Sequence, residues 1–133
     1  MRIQRVQQDS PDGCFVACVA MLLHTHYREA FHLIFPHRCI WEKHELSTDE
    51  AEQRLRDLKF GVKPVKIRDT RFLKKISLLF VRWEANPTRG HTVIYQPETG
   101  LFIDPNYRRP LTRLDYERQL YRAYHLDVPW LYD

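Results

Sequence analysis

The stretch Gln8–Met21, QDSPDGCFVACVAM, decides how the rest of the chain is read. Ser10, Pro11, Asp12 and Gly13 form a loop by composition, and the loop runs straight into an apolar, helix-compatible segment that opens at Cys14. A thiol at that position sits at the positive end of a helix dipole, where first-turn N–H groups favour the thiolate. Gln8 precedes Cys14 by six residues, so its side-chain amide can fold back toward the same point. A thiolate, an amide donor and the Cys14 backbone N–H are the parts of an acyl-transfer site. The residues also admit a plainer reading. Cysteine is among the most buried residue types, and Cys14 and Cys18, four apart, can face a core from one side of a helix.

Working outward, the helix from Cys14 is expected to run to about Arg28, with Ala17, Met21, Leu22 and Leu23 as its buried stripe, and Pro36 ends whatever helix continues through Phe31–Phe35. On the N-terminal side, residues 2–7 alternate weakly, as a short strand would. Ser47 and Glu50 form a capping box for a helix to about Leu58, with Ala51, Leu55 and Leu58 on one face and Gly61 as its left-handed cap. Val62–Ile67 reads as a strand, Phe72–Ile76 as a short helix or turn, Leu78–Trp83 as a strand and Ala85–Gly90 as a loop. Thr112–Tyr124 reads as a helix with Leu114, Leu120 and Tyr121 inward, followed by a tail in which Trp130 and Tyr132 pack back on the body.

The clearest hairpin joins His91–Tyr95 to Leu101–Asp104 through Pro97–Gly100. With that loop, Gln96 pairs with Leu101 and Val93 with Asp104, so Asp104 is the diagonal neighbour of His91 on one face. A carboxylate there holds the imidazole by one nitrogen and leaves the other for chemistry. A slip of one residue would put the two on opposite faces. Taken singly, His91 also fits a satisfied histidine at a strand start, and Asp104-Pro105 a turn.

Two separated motifs carry a resemblance. Gln8, Cys14, Ala17, Cys18, Ala20, Met21 and Leu22 resemble the papain superfamily of cysteine peptidases, and most closely its bacteriocin-processing, double-glycine leader peptidases and their stand-alone C39-like relatives. Gly90, His91, Thr92 and Val93, then Asp104 and Pro105, resemble that family's second motif in the same order. Phe15 stands where the family usually has Gly. The resemblance implies an α+β, papain-like fold with an N-terminal nucleophile helix on an antiparallel sheet. It implies Cys14 as nucleophile, His91 as general base and acid, Asp104 as its orienting carboxylate and Gln8 in an oxyanion hole, with Phe15 and Gly90 beside the substrate. It also implies hydrolysis of a peptide through a thioester, often after a Gly-Gly pair. Other acyl transfers (deamidation, amidation, transglutamination) and a binding module on the same scaffold remain open.

Length and composition set the remaining bounds. The 133 residues make one domain, residues 1–133. The net charge of +4 is modest and interspersed with acidic residues, which gives no nucleic-acid module. Three cysteines in no disulfide spacing point to a reducing, cytoplasmic setting. Phe15–Leu23 lacks the flanks of a signal peptide, and no run is long enough to span a membrane. His24, His26, His32, His37, Cys39 and His44 crowd one region without a zinc spacing, so neither metal nor cofactor is expected. The expected partner is a peptide or protein substrate.

Overall fold

The computed structural model describes residues 3–65, 73–83, 86–105 and 120–127, with the side chains of 82, 83, 86–90, 120 and 121 left out. Three helices, α1 (Cys14–Leu23), α2 (Tyr27–Ile34) and α3 (Thr48–Asp57), precede five strands. These are β1 (Gly61–Val65), β2 (Ser77–Trp83), β3 (Asn86–Gln96), β4 (Leu101–Ile103) and β5 (Leu120–Asp127). The strands form one antiparallel sheet in the order β1-β5-β2-β3-β4. The class is α+β, as expected from the sequence.

The apolar residues of α1 leave almost no surface in water; Phe15 through Leu22 are all buried. Such a helix is stable only inside a core. It packs on α2 and on β3. One core joins the helices to Leu78, Phe80, Ile94, Ile103, Tyr124 and Leu126 of the sheet. A second cluster, Leu79, Val81, Val93, Tyr95, Phe102 and Ala123, lies on the other face. The alternation of neighbours between the two clusters is the period-two pattern of strands.

Several expected boundaries are corrected. The first helix does not reach Arg28. It stops at Leu23 because His24 adopts a left-handed conformation (φ 56°), and the Thr25 N–H closes on the Ala20 carbonyl. The chain restarts at His26, whose ring accepts from the Glu29 N–H and caps α2. The capping box at Ser47 and Glu50 is present, but the left-handed residue after α3 is Lys59 (φ 70°), not Gly61. Gly61 instead opens β1 against Asp127, where an added Cβ would lie 2.8 Å from the Asp127 Cβ. Residues 3–7 form no strand, and 73–76 form neither helix nor strand. Residues 86–90 continue β3 and are not a loop.

The largest correction concerns residues 120–124, read as the end of a helix. They are strand, and β5 runs between β1 and β2. The expected helix over 112–119, strand residues 66 and 67, Phe72, Ala85 and the tail at 128–133 lie outside the described residues. The hairpin has the expected register, with Gln96 opposite Leu101 and Ile94 opposite Ile103. Gly100 (φ 67°) takes the left-handed position that closes its loop, donating to the Gln96 carbonyl at 2.9 Å.

Candidate active site

Cys14 opens α1 with Gly13 as N-cap and no side chain capping the helix. The first-turn N–H groups of a helix have no carbonyl of their own helix to bind, so they set a positive field at the thiol. Cys14 is half-buried, whereas His91 and Asp104 are 5% and 1% exposed. β4 ends at Ile103 and pairs with β3 only as far as Ile94. Just past that point His91 Nε2 lies 2.8 Å from Asp104 Oδ1, as the diagonal register implies. The His91 ring also interacts with the Cys14 sulfur closely enough for each to shift the other's titration. With Nε2 on Asp104, the nitrogen that remains for the sulfur is Nδ1.

The electrostatics follow from these contacts. Burial favours the neutral thiol of Cys14, but the interactions with His91 and Thr92 outweigh it and hold the thiol below its ordinary range. Burial likewise opposes charge on His91. The interactions with Asp104 and Cys14 prevail and lift its pKa to about 9. Each partner therefore favours the charged form of the other, which is the condition for a thiolate–imidazolium pair. Cys18, one turn along, is the contrast: burial pushes its thiol well up, and its Sγ lies 3.5 Å from the Thr92 carbonyl oxygen.

The other expected site residues are placed as follows. Gln8 is buried, but its Nε2 donates to the Ser10 and Pro11 carbonyls at 2.9 and 3.2 Å, within the loop that leads to Cys14. Its Oε1 has no partner among the described residues. Phe15 lines a cleft of about 220 Å³ together with Cys14, Asp12, Glu45, Phe80 and Thr92. Gly90 lies in β3 opposite Arg82, next to His91. Of the histidine-rich region, His44 is buried against Tyr27, with its ring on the Tyr27 hydroxyl and the Ile40 carbonyl. Among the described residues no three His, Cys, Asp or Glu side chains gather where a metal could be held, and no helix is long and apolar enough to cross a membrane.

Sequence reasoning missed three supports. The Thr92 hydroxyl lies 3.6 Å from Cys14 Sγ. Strand alternation alone could not have found it, since it puts Thr92 on the face opposite to His91. Arg5 donates from Nε and Nη2 to the carbonyls of Asp104 and Pro105, both at 2.9 Å, while the Gln8 N–H binds Pro105 O. Nothing local announces a contact across 99 positions. Asp12 accepts from the Ser10 hydroxyl and the His44 N–H, tying the loop before Cys14 to the segment after α2.

Among solved structures, the peptidase domain of Streptococcus ComA, a bifunctional ABC transporter of a quorum-sensing pathway, is similar over 94% of this chain and 98% of its own, at 15% identity and a TM-score of 0.66. A double-glycine-motif protease from an AMS/PCAT transporter, solved with its leader peptide, is similar over 94% and 91%, at 13% identity and a TM-score of 0.66. The fold is thus that of such peptidase domains. Comparison with curated proteins gives no match. The model of the Peptidase C39 family matches residues 2–108, most of the chain, and the protein belongs to that family.

Proposed function

We propose that residues 1–133 form a single peptidase domain that hydrolyses a peptide bond through a Cys14 thioester. The observation that carries this reading is the position of His91, held by the Asp104 carboxylate at 2.8 Å and coupled electrostatically to the Cys14 sulfur. In the forward half-reaction the Cys14 thiolate attacks the substrate carbonyl carbon and the π electrons move to oxygen. The imidazolium of His91 then gives its proton to the departing amine as the C–N bond breaks, leaving the thioester. Water attacks next, His91 takes a proton from it, and the C–S bond breaks to restore the thiolate. Asp104 holds the ring throughout by Nε2.

The Cys14 N–H and Gln8 stabilise the oxyanion. Both N–H groups of Gln8 are engaged by loop carbonyls, so its donation requires one of those bonds to be exchanged for the oxyanion. Phe15 and Gly90 border the substrate. The double-glycine specificity named for one structural neighbour makes a peptide with a small residue, such as Gly-Gly, before the cleaved bond the first substrate to try. The absence of a disulfide spacing supports a reducing, cytoplasmic setting.

The test is the pH dependence of Cys14 alkylation by iodoacetamide, read on the Cys14 peptide by mass spectrometry, in wild type and His91→Ala. Labelling that persists well below the ordinary thiol range and weakens in His91→Ala supports the pair. Ordinary-thiol labelling unchanged by His91→Ala sinks it. A peptide panel then separates hydrolysis from transfer to another acceptor.

A further inference from the structure

We infer that Thr92 is a further catalytic residue: its hydroxyl is a hydrogen-bond donor to the Cys14 thiolate. Thr92 is 3% exposed and follows His91 on β3, with Oγ1 3.6 Å from Cys14 Sγ. The strand fixes it twice, since it pairs with Phe80 of β2 and its carbonyl takes the Cys18 thiol. A hydroxyl can accept from a thiol and donate to a thiolate, so the bond survives deprotonation with its direction reversed. Once the sulfur is charged the bond is charge-assisted and stronger. Thr92 also lines the cleft together with Cys14.

This gives the site two donors to one sulfur. His91 both charges the sulfur and later moves the proton. Thr92 transfers no proton and only lowers the energy of the thiolate. That division has a measurable signature, because a thiolate made more stable is also a weaker nucleophile, with a sensitivity of about 0.4–0.5 in the logarithm of the rate per pKa unit. Removing the hydroxyl therefore moves two quantities in opposite directions. The fraction of thiolate falls at low pH, and the rate constant of each thiolate rises.

The inference rests on Cys14 being the reactive thiol paired with His91. The experiment is the same pH–rate profile of iodoacetamide alkylation at Cys14 on the full chain, for wild type, Thr92→Val, Thr92→Ser and His91→Ala. Valine keeps the shape and β-propensity of threonine without the hydroxyl. If the bond is worth about tenfold in the thiolate-to-thiol ratio, Thr92→Val moves the acid limb up by about one pH unit and raises the plateau about threefold. Thr92→Ser returns both toward wild type. A Thr92→Val profile that superimposes on wild type in limb and plateau, while His91→Ala shifts it, overturns the Thr92 assignment and leaves the Cys14–His91 pair standing. A wild-type profile of an ordinary thiol, unmoved by His91→Ala, overturns both. Should Thr92→Val fail to fold, as judged by circular dichroism, Thr92→Ala removes the same hydroxyl and is read against the same two criteria.

Discussion

His91 sits between two groups that both favour its protonated form, and burial, which opposes charge, does not outweigh them. The predicted pH profile of peptide hydrolysis is a bell. Its acid limb lies below the ordinary thiol range because Cys14 is held low, and its alkaline limb lies near pH 9, where His91 loses its proton. The sign for stability follows. A histidine raised from 6.5 to about 9 contributes stability that is complete below pH 6.5 and is lost as pH rises through about 9. Asp104→Asn removes the charge that holds the ring, so the alkaline limb should fall toward the ordinary histidine range; NMR titration of the His91 ring measures this directly. A second residue-scale prediction concerns Gly13. A Cβ there would lie 2.0 Å from the Tyr27 hydroxyl oxygen, which is itself engaged with His44. Gly13→Ala should cost about 1–3 kcal/mol in urea unfolding, the usual scale of overpacking, and should slow alkylation of Cys14 next to it.

At the scale of elements, α3 is held at its start by the reciprocal bonds of Ser47 and Glu50. Ser47 also borders the cleft beside Cys14. Ser47→Ala should lower stability by about 0.5–2 kcal/mol by thermal denaturation, with Cys14 labelling at neutral pH little changed, since the cap does not touch the sulfur. That capping box was legible because its residues lie three apart. The hairpin was legible for the same reason: its loop and register depend on a dozen consecutive residues, and they placed Asp104 against His91. Other elements were not. His24 and Lys59 take left-handed backbone without being glycine, so the breaks they make carry no compositional mark. β5 read as helix because it is an interior strand. Ala123, Tyr124 and Leu126 are all buried, on two different faces, and the polar–apolar alternation of an edge strand is lost. Local spacing cannot choose between helix and strand there; pairing with β1 and β2 does.

The whole molecule brings together groups far apart in the chain. Cys14 comes from the first helix, His91 and Asp104 from the hairpin, and Arg5 clasps the backbone of Asp104 and Pro105 from the N-terminal side. The order of these residues was legible, and so was the class of fold; the clasp and the placing of β5 were not, because both are contacts between distant segments. The family match ends at residue 108, yet β5 lies inside the sheet, between β1 and β2. A chain cut after residue 108 leaves β1 without its strand partner and opens the flank of β2. It should therefore lose its cooperative unfolding transition in circular dichroism and label at Cys14 as an ordinary thiol. That interior placement also has a meaning in time. Ribosomes add roughly 5–20 residues per second, so Cys14, His91 and Asp104 all exist for about one to five seconds before residues 120–127 have been completed. During that interval the reactive groups are present in order but have no closed sheet to hold them. On the proposed reading, the unfinished chain carries the three residues of the site without the interior strand that closes the sheet behind them.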